Sequence, residues 1–326
     1  MLVSMAPAVE TAAAAPARWQ DFLQLMKPRV MSLVVFTGLT GLICAKTPIN
    51  PILGAIAILC IAVGAGASGS LNMWYDADID RQMRRTRARP VAAGRVQGAD
   101  ALALGIVLSL FSVMLMGMAL NWLAAGLLAF TILFYAIVYT MWLKRSTAQN
   151  IVIGGLAGAL PPVIGWAAAS GTAPLNAWLL CAIIFMWTPP HFWALSLYTS
   201  EDYKKAGVPM LPVVRGPAHT RGQILLYSLL FCPLSVVPAF TGLGGLAYLA
   251  VSGLGGAVFL LLAFRLHRSH AGEATGERND DGLYDVRAGA KDARNLFAFS
   301  ILYLTLLFAT LLGEHLVGAQ PFASLV

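Results

Sequence analysis

The chain has 326 residues, of which 58% are hydrophobic and only 11% charged, with 22 Lys and Arg against 15 Asp and Glu. An average soluble domain carries about 25% charge, so these residues cannot make the surface of a soluble protein of this size. The mean hydropathy of +0.73 points the same way. The net charge of +7 does not mark a nucleic-acid binder, because the basic residues sit between apolar runs rather than along one polar face.

Residues 1–20 are rich in Ala, contain Pro and Glu, and lack a basic stretch followed by an apolar one; they read as a disordered tail, not a cleaved signal. A hydrocarbon core about 30 Å thick needs roughly 20 helical residues. Apolar runs of that length follow at 29–46, 52–74, 101–120, 122–143, 150–169, 175–198, 222–240, 243–265 and 295–316. The predicted fold is all-α: nine transmembrane helices, two four-helix halves plus a ninth helix, around a central cavity. Residues 21–317 form one domain and 318–326 a C-terminal tail. Cys44, Cys60, Cys181 and Cys232 all fall inside apolar runs without metal spacing and read as small buried hydrophobes.

Nine spans make a checkable statement about charge. With the N-terminus on the cytoplasmic side, every Lys and Arg except Lys46 falls on that side, and Glu314 is the one carboxylate opposite. Positively charged loops resist translocation, so the expected location is a bacterial-type inner membrane with the N-terminus in the cytoplasm. The polar equipment is then all at one face.

At the cytoplasmic end of the second span stands Asn72-Met-Trp-Tyr-Asp76-Ala-Asp78-Ile-Asp80, followed by RQMRRTRARPVAAGR. Residues four apart share a helical face, so Asn72, Asp76 and Asp80 form one stripe and Asp78 points away. Two readings stand. Charge at a helix end is often only a topology signal; an Asn/Asp stripe at membrane depth is costly unless used. In the second reading the stripe holds Mg²⁺, a hard ion that takes carboxylates while phosphates complete its shell, and Arg87 and Arg89 neutralise a diphosphate. Just upstream, Gly64-Ala-Gly66-Ala-Ser-Gly69 matches the dinucleotide-binding pattern, but it lies inside an apolar run with no preceding strand and reads as close helix packing.

The sixth span ends WTPPHFWALSLYTS and runs into Glu201-Asp202-Tyr203-Lys204-Lys205. Pro189 and Pro190 are expected to break or kink that helix. His191, beside the break and flanked by Trp187, Phe192 and Trp193, is either part of an interfacial aromatic belt or a substrate contact. The two polar segments follow spans two and six, equivalent places in the two halves.

The stretch NMWYDADIDRQMRRTRARPVAAGR resembles the first signature of the UbiA-type intramembrane prenyltransferases, NxxxDxxxD followed by RTxxRP. Within that superfamily, YTMWLKRSTAQNIVIGGLAGALPPVIGWAA and WTPPHFWALSLYTSEDYKKAGVPMLPVV resemble the protohaem IX farnesyltransferases, over nearly all of residues 20–317. The resemblance implies Mg²⁺-dependent transfer of farnesyl from farnesyl diphosphate to a vinyl group of haem B. It assigns Asn72, Asp76, Asp80 and Asp202 to the metal. By the same resemblance Lys144 goes to the diphosphate; Arg87, Arg89 and Lys204 are expected to assist it, and His191 and Asn150 to contact substrate. Two departures are visible: Ala206 stands where the second motif usually has an acid, with Glu201 a nearby substitute. Tyr139 is one residue out of the usual YxxxK spacing, leaving Thr140 in its place. Membrane lipid is an implied partner, as is a haem A synthase or an oxidase assembly factor. The rival readings are a related enzyme acting on a quinone precursor or chlorophyllide, and a transporter built of paired helix halves. The carboxylates' position at one face weighs against the transporter.

Overall fold

The computed structural model describes residues 17–273 and 290–325. The predicted disordered tail lies almost wholly outside these described residues. The polar, Gly-rich composition of 266–294 reads as a linker in its middle, and that middle lies outside them too.

Among the described residues all regular structure is helical. In chain order the elements are α1 (Trp19–Leu25), α2 (Pro28–Cys44), α3 (Pro51–Tyr75), α4 (Ala77–Gln82), α5 (Gly98–Ala119) and α6 (Trp122–Leu133). A π-helical stretch, Phe134–Leu143, carries α6 into α7 (Lys144–Ser146). There follow α8 (Asn150–Ala159), α9 (Pro161–Ser170), α10 (Leu175–Leu197), α11 (Ser200–Lys205), α12 (Leu211–Val214), α13 (Pro217–Phe240), α14 (Leu246–Arg268) and α15 (Lys291–Leu316). Eight segments are long and apolar enough to cross a membrane: α3, α5, α6 through α7, α8 with α9, α10, α13, α14 and α15. The pair α1 and α2, bent by 52°, makes a ninth if taken as one span. The eight match predicted apolar runs to within a few residues, and α2 alone matches the run predicted at 29–46.

The sequence sets the helix starts. Pro28, Pro51, Pro161 and Pro217 occupy first-turn positions, where a missing N–H costs nothing. Asn50 and Asn121 cap α3 and α6 by accepting from Ile52 N and Ala124 N, both at 2.9 Å. Asn121 also donates to Ala167 O at 2.9 Å, so the tight turn between α5 and α6 is tied to α9.

α2 packs on α9, α3 on α5, α10 on α8 and α13, and α15 on α14, α10 and α2. The last helix thus closes the bundle between the two halves. Where α2 crosses α9 the backbones touch: a Cβ on Gly41 would lie 2.0 Å from Pro162 O, and one on Gly165 2.0 Å from Gly38 O. Only glycine fits there, the small-residue packing of membrane helices. The Gly64–Gly69 pattern lies within α3, as helix packing requires; a Cβ on Gly64 would meet Leu128, and one on Gly66 would meet Met26. Outward-facing Leu110, Met118, Trp122 and Leu254 are well exposed, the surface that lipid covers.

Of the break or kink expected at Pro189 and Pro190, the break is absent. α10 runs unbroken through Pro189 and Pro190. The helix is mostly buried along its apolar length and is gripped by α8, α9, α13 and α15, so its neighbours hold a course that its own hydrogen bonds do not. The break in this family of spans falls instead at the bend before Pro28.

Candidate active site

α3 does not continue through the acidic stripe. It ends at Tyr75, Asp76 turns the chain at φ −86°, ψ 8°, and α4 begins at Ala77. Asn72 and Asp76 still face together, and the i→i+4 bond from Asp80 N to Asp76 O, 2.8 Å, keeps Asp80 in step with them. The Asn72 amide donates to Asp76 Oδ2 at 2.7 Å and to Thr140 Oγ1 at 3.1 Å. With both its N–H bonds committed, its carbonyl oxygen is fixed, and Lys27 Nζ meets that oxygen at 2.5 Å.

Asp76 is 0% exposed. Its Oδ2 also accepts from Lys144 Nζ. Its Oδ1 has no hydrogen-bond partner; Arg145 Nη2 comes no nearer than 3.7 Å. An ionised carboxylate oxygen out of water without a donor is costly, so this atom marks a place for a cation. Asp80, also buried, is held by Arg89 Nη1 at 2.9 and 2.8 Å from its two oxygens. Asp78 turns away as predicted: it is largely exposed and forked by Arg145, whose Nη1 and Nη2 each stand 2.8 Å from one of its oxygens.

The π-helical stretch brings Thr140 and Lys144 to this cluster. Lys144 N bonds Tyr139 O, an i→i+5 link. The wider turn places Tyr139, five residues before Lys144, one π-turn from it. Thr140 makes the contact with Asn72, and Tyr139 packs over Gly154, where an added Cβ would lie 2.1 Å from its ring.

The second polar segment meets the first through an apolar knot: Ile79 and Met83 with Ile151, Tyr203, Val208 and Met210. Ile79 stands beside Asp80 and Tyr203 beside Asp202, so the knot brings both chains to one rim. Asp202 is buried, with Arg84 Nε at 3.9 Å. Among the described residues no three His, Cys, Asp or Glu side chains are gathered so as to hold a metal; the protein's own cations lie on Asp76 and Asp80 instead. Arg87 and Lys204 are exposed. Asn150 is buried, donates to Thr147 O at 2.6 Å and leaves its Oδ1 without a partner. His191 is buried between Trp187 and Phe297, with ring centroids 4.1 and 4.6 Å away. Its Nδ1 lies 2.7 Å from Ser300 Oγ. Lys27, Thr140, Arg84 and Arg145 were not among the predicted site residues.

Behind the cluster a cavity of about 130 Å³ runs between α2, α3, α6, α8 and α9, lined by Val34, Ile61, Leu128, Ile132 and Ile164, with Lys27 and Tyr135 at its polar end. An apolar chamber with Lys27 at its polar end, and the Asn72–Asp76 pair just beyond that lysine, suits a molecule with a hydrocarbon tail and an anionic head. The fold and site thus define a multi-pass membrane enzyme of amphiphile chemistry.

The model of the UbiA prenyltransferase family matches residues 34–279. The protoheme IX farnesyltransferase of Caulobacter vibrioides is 72% identical over 94% of this chain and 93% of its own length. That of Maricaulis maris is 59% identical over 92% and 91%. The chain belongs to the UbiA prenyltransferase family. Solved structures share the fold: a digeranylgeranylglyceryl phosphate synthase aligns over 91% of this chain and 98% of its own, TM-score 0.72 at 15% identity. A UbiA homolog from Archaeoglobus fulgidus, bound to GPP and Mg²⁺, aligns over 89% and 99%, TM-score 0.62 at 18% identity.

Proposed function

We propose that this prenyltransferase moves a farnesyl group from farnesyl diphosphate to a vinyl carbon of haem B, with addition of water, giving haem O. The relatives named protoheme IX farnesyltransferase, near full length and up to 72% identical, support the choice of substrates. The observation that carries the chemistry is Asp76: a fully buried carboxylate with one oxygen left without a donor, beside the polar end of an apolar cavity.

Those residues fit a divalent cation, for which Asp76 Oδ1 and the fixed Asn72 Oδ1 are hard oxygen donors. Asp80 and Asp202, now beside Arg89 and Arg84, would be further oxygen donors to such an ion if those arginines turned to phosphate. Mg²⁺ held there supplies neutralisation of the diphosphate's charge. The chain's own part is then as follows. The cavity takes the isoprenoid tail and keeps water from it. Lys144 and Arg89, with Arg87 and Lys204 at the rim, stabilise the charge that collects on the diphosphate as the allylic C–O bond breaks and its electron pair leaves with oxygen. The vinyl π-electrons form the new C–C bond to farnesyl C1. Water adds to the resulting cation and loses a proton, leaving a hydroxyl. His191, clamped between Trp187 and Phe297, contacts the haem face, and Asn150 serves the same pocket.

The bundle would lie in the bacterial inner membrane with residues 17–18 and the carboxylate end in the cytoplasm. Haems extracted from membranes with and without the chain, supplied with haem B, farnesyl diphosphate and Mg²⁺, test the assignment by mass. Haem O should form only with the chain present. An unchanged haem pool alongside an altered quinone pool would move the acceptor to a different ring system.

A further inference from the structure

Lys27 is a cation at the centre of the cluster that, among the described residues, no acidic side chain accounts for. Lys144 lies on Asp76, Arg89 on Asp80 and Arg145 on Asp78. Among the described residues Lys27 pairs with no carboxylate. Its ammonium instead meets the neutral carbonyl of Asn72 at 2.5 Å and stands 5.9 Å from the centre of the Tyr135 ring. Its stem lines the apolar cavity.

The chain takes trouble to put it there. Lys27 has φ 53°, a left-handed conformation that costs a non-glycine residue free energy, and it occupies the 52° bend between α1 and α2. Pro28 then starts α2. The preceding turn is seated on α3: a Cβ on Gly69 would lie 2.9 Å from Leu25 O and one on Gly66 2.6 Å from Met26 Cε. A strained backbone held by close packing is a mark of a functional position.

Asn72 Oδ1 is also the oxygen that a metal would use. A Mg²⁺ bound about 2 Å from it would crowd an ammonium already in contact with the same atom, and like charges out of water repel strongly. The two cannot share it. We propose that Lys27 holds the Asn72 carbonyl while no divalent cation is bound, and gives it up for a phosphate oxygen when metal and prenyl diphosphate enter together. Lys27 is then a diphosphate-binding residue at the junction of head and tail, and it opposes binding of the metal alone. The inference rests on the prenyl diphosphate chemistry proposed above.

The competition gives an unusual signature. Purified full-length chain in detergent is titrated with Mn²⁺ followed by its paramagnetic resonance, first without and then with farnesyl diphosphate. Lys27→Met should bind Mn²⁺ alone about threefold tighter or better, since a competing positive charge is gone. It should bind farnesyl diphosphate with Mn²⁺ about tenfold more weakly, since a charge-assisted bond is lost. Lys27→Arg should restore most of the diphosphate affinity. A merely structural lysine would lower both affinities together, or leave both unchanged, and either result overturns the proposal. Should Lys27→Met fail to accumulate, Lys27→Gln carries the same two titrations. If the unsubstituted chain binds neither Mn²⁺ nor farnesyl diphosphate, the functional reading itself fails, and that outcome is distinct from a wild-type-like Lys27→Met.

Discussion

Two buried carboxylates at opposite ends of the bundle have opposite fates. Glu314, on α15, is 8% exposed and fully satisfied: one oxygen accepts from Gly245 N at 2.6 Å and the other from Tyr248 N at 2.9 Å. Those are the N-cap and third-turn-position amides of α14, a helix whose cap residue is a glycine without a side chain. Glu314 therefore caps α14 from a neighbouring helix, at the end where the dipole favours a negative charge. Asp76 is buried at least as deeply, yet one of its oxygens has no hydrogen bond and the other takes a lysine. Both cost desolvation. A carboxylate closed by backbone donors stabilises a fold, whereas one closed by movable side chains, with an oxygen to spare, is ready for a ligand.

The contrast breaks cleanly if substitution at the two positions does the same thing. Asp76→Asn should lower prenyl transfer by about a hundredfold or more, as losing a charge-stabilising group does in other sites, with the unfolding temperature in detergent changed little. Glu314→Ala should do the reverse. Two buried amides lose a charged acceptor, a loss of about 2 kcal/mol, or roughly thirtyfold in the folding equilibrium, read by thermal unfolding. Turnover per folded molecule should stay near wild type. Activity lost in Glu314→Ala without unfolding, or retained in Asp76→Asn, would undo the distinction.

A finer version concerns Thr140. If Thr140 only positions the Asn72 amide, Thr140→Val should raise the divalent-cation concentration for half-maximal activity about tenfold, as loss of an orienting partner does. The maximal rate should be nearly kept, and Thr140→Ser should restore the lower value. A fall in maximal rate with no change in metal demand would make Thr140 something other than an orienting residue.

Thr140 and Lys27 also show where sequence reading stops. Apolar run length placed the eight long spans, because a bilayer's thickness is a one-dimensional constraint, but did not show the bent α1 that precedes α2. The Asn72, Asp76, Asp80 spacing was legible because helix geometry is local. Thr140 and Lys27 reach Asn72 across 68 and 45 residues of chain, and no local rule links them. Lys27 was visible only as one more positive charge beside a membrane span. The displaced Tyr139 falls within the π-helical stretch, whose wider turn no spacing rule for an α-helix would suggest. α10 crossing two prolines unbroken was illegible for the converse reason, since its continuity comes from four neighbouring helices.

The smallest effect belongs to a third carboxylate, closed but exposed. Glu273, just past α14, accepts from Arg221 Nη2 at 2.8 Å and lies 2.9 Å from His270 Nδ1, with 41% of its side chain accessible. Arg221 also donates to Ala271 O at 2.8 Å, so it ties the end of α14 to the start of α13. The Arg221 guanidinium, helped by His270, holds the Glu273 carboxyl below its ordinary 4.5. A carboxyl whose pKa is lowered by folding stabilises the folded form above its unfolded value, and the gain fades as pH falls through the folded one. The tie should therefore be intact above pH 4.5 and weaken progressively below it. Solvent screening keeps the effect to about half a kcal/mol. Hydrogen exchange at residues 269–273, corrected for its intrinsic acid dependence, should quicken about twofold below that pH. In Glu273→Gln the same amides should exchange at the faster rate throughout and show no such step. An equal step in both proteins would mean that another group carries it, and that an exposed closed carboxylate contributes nothing measurable here.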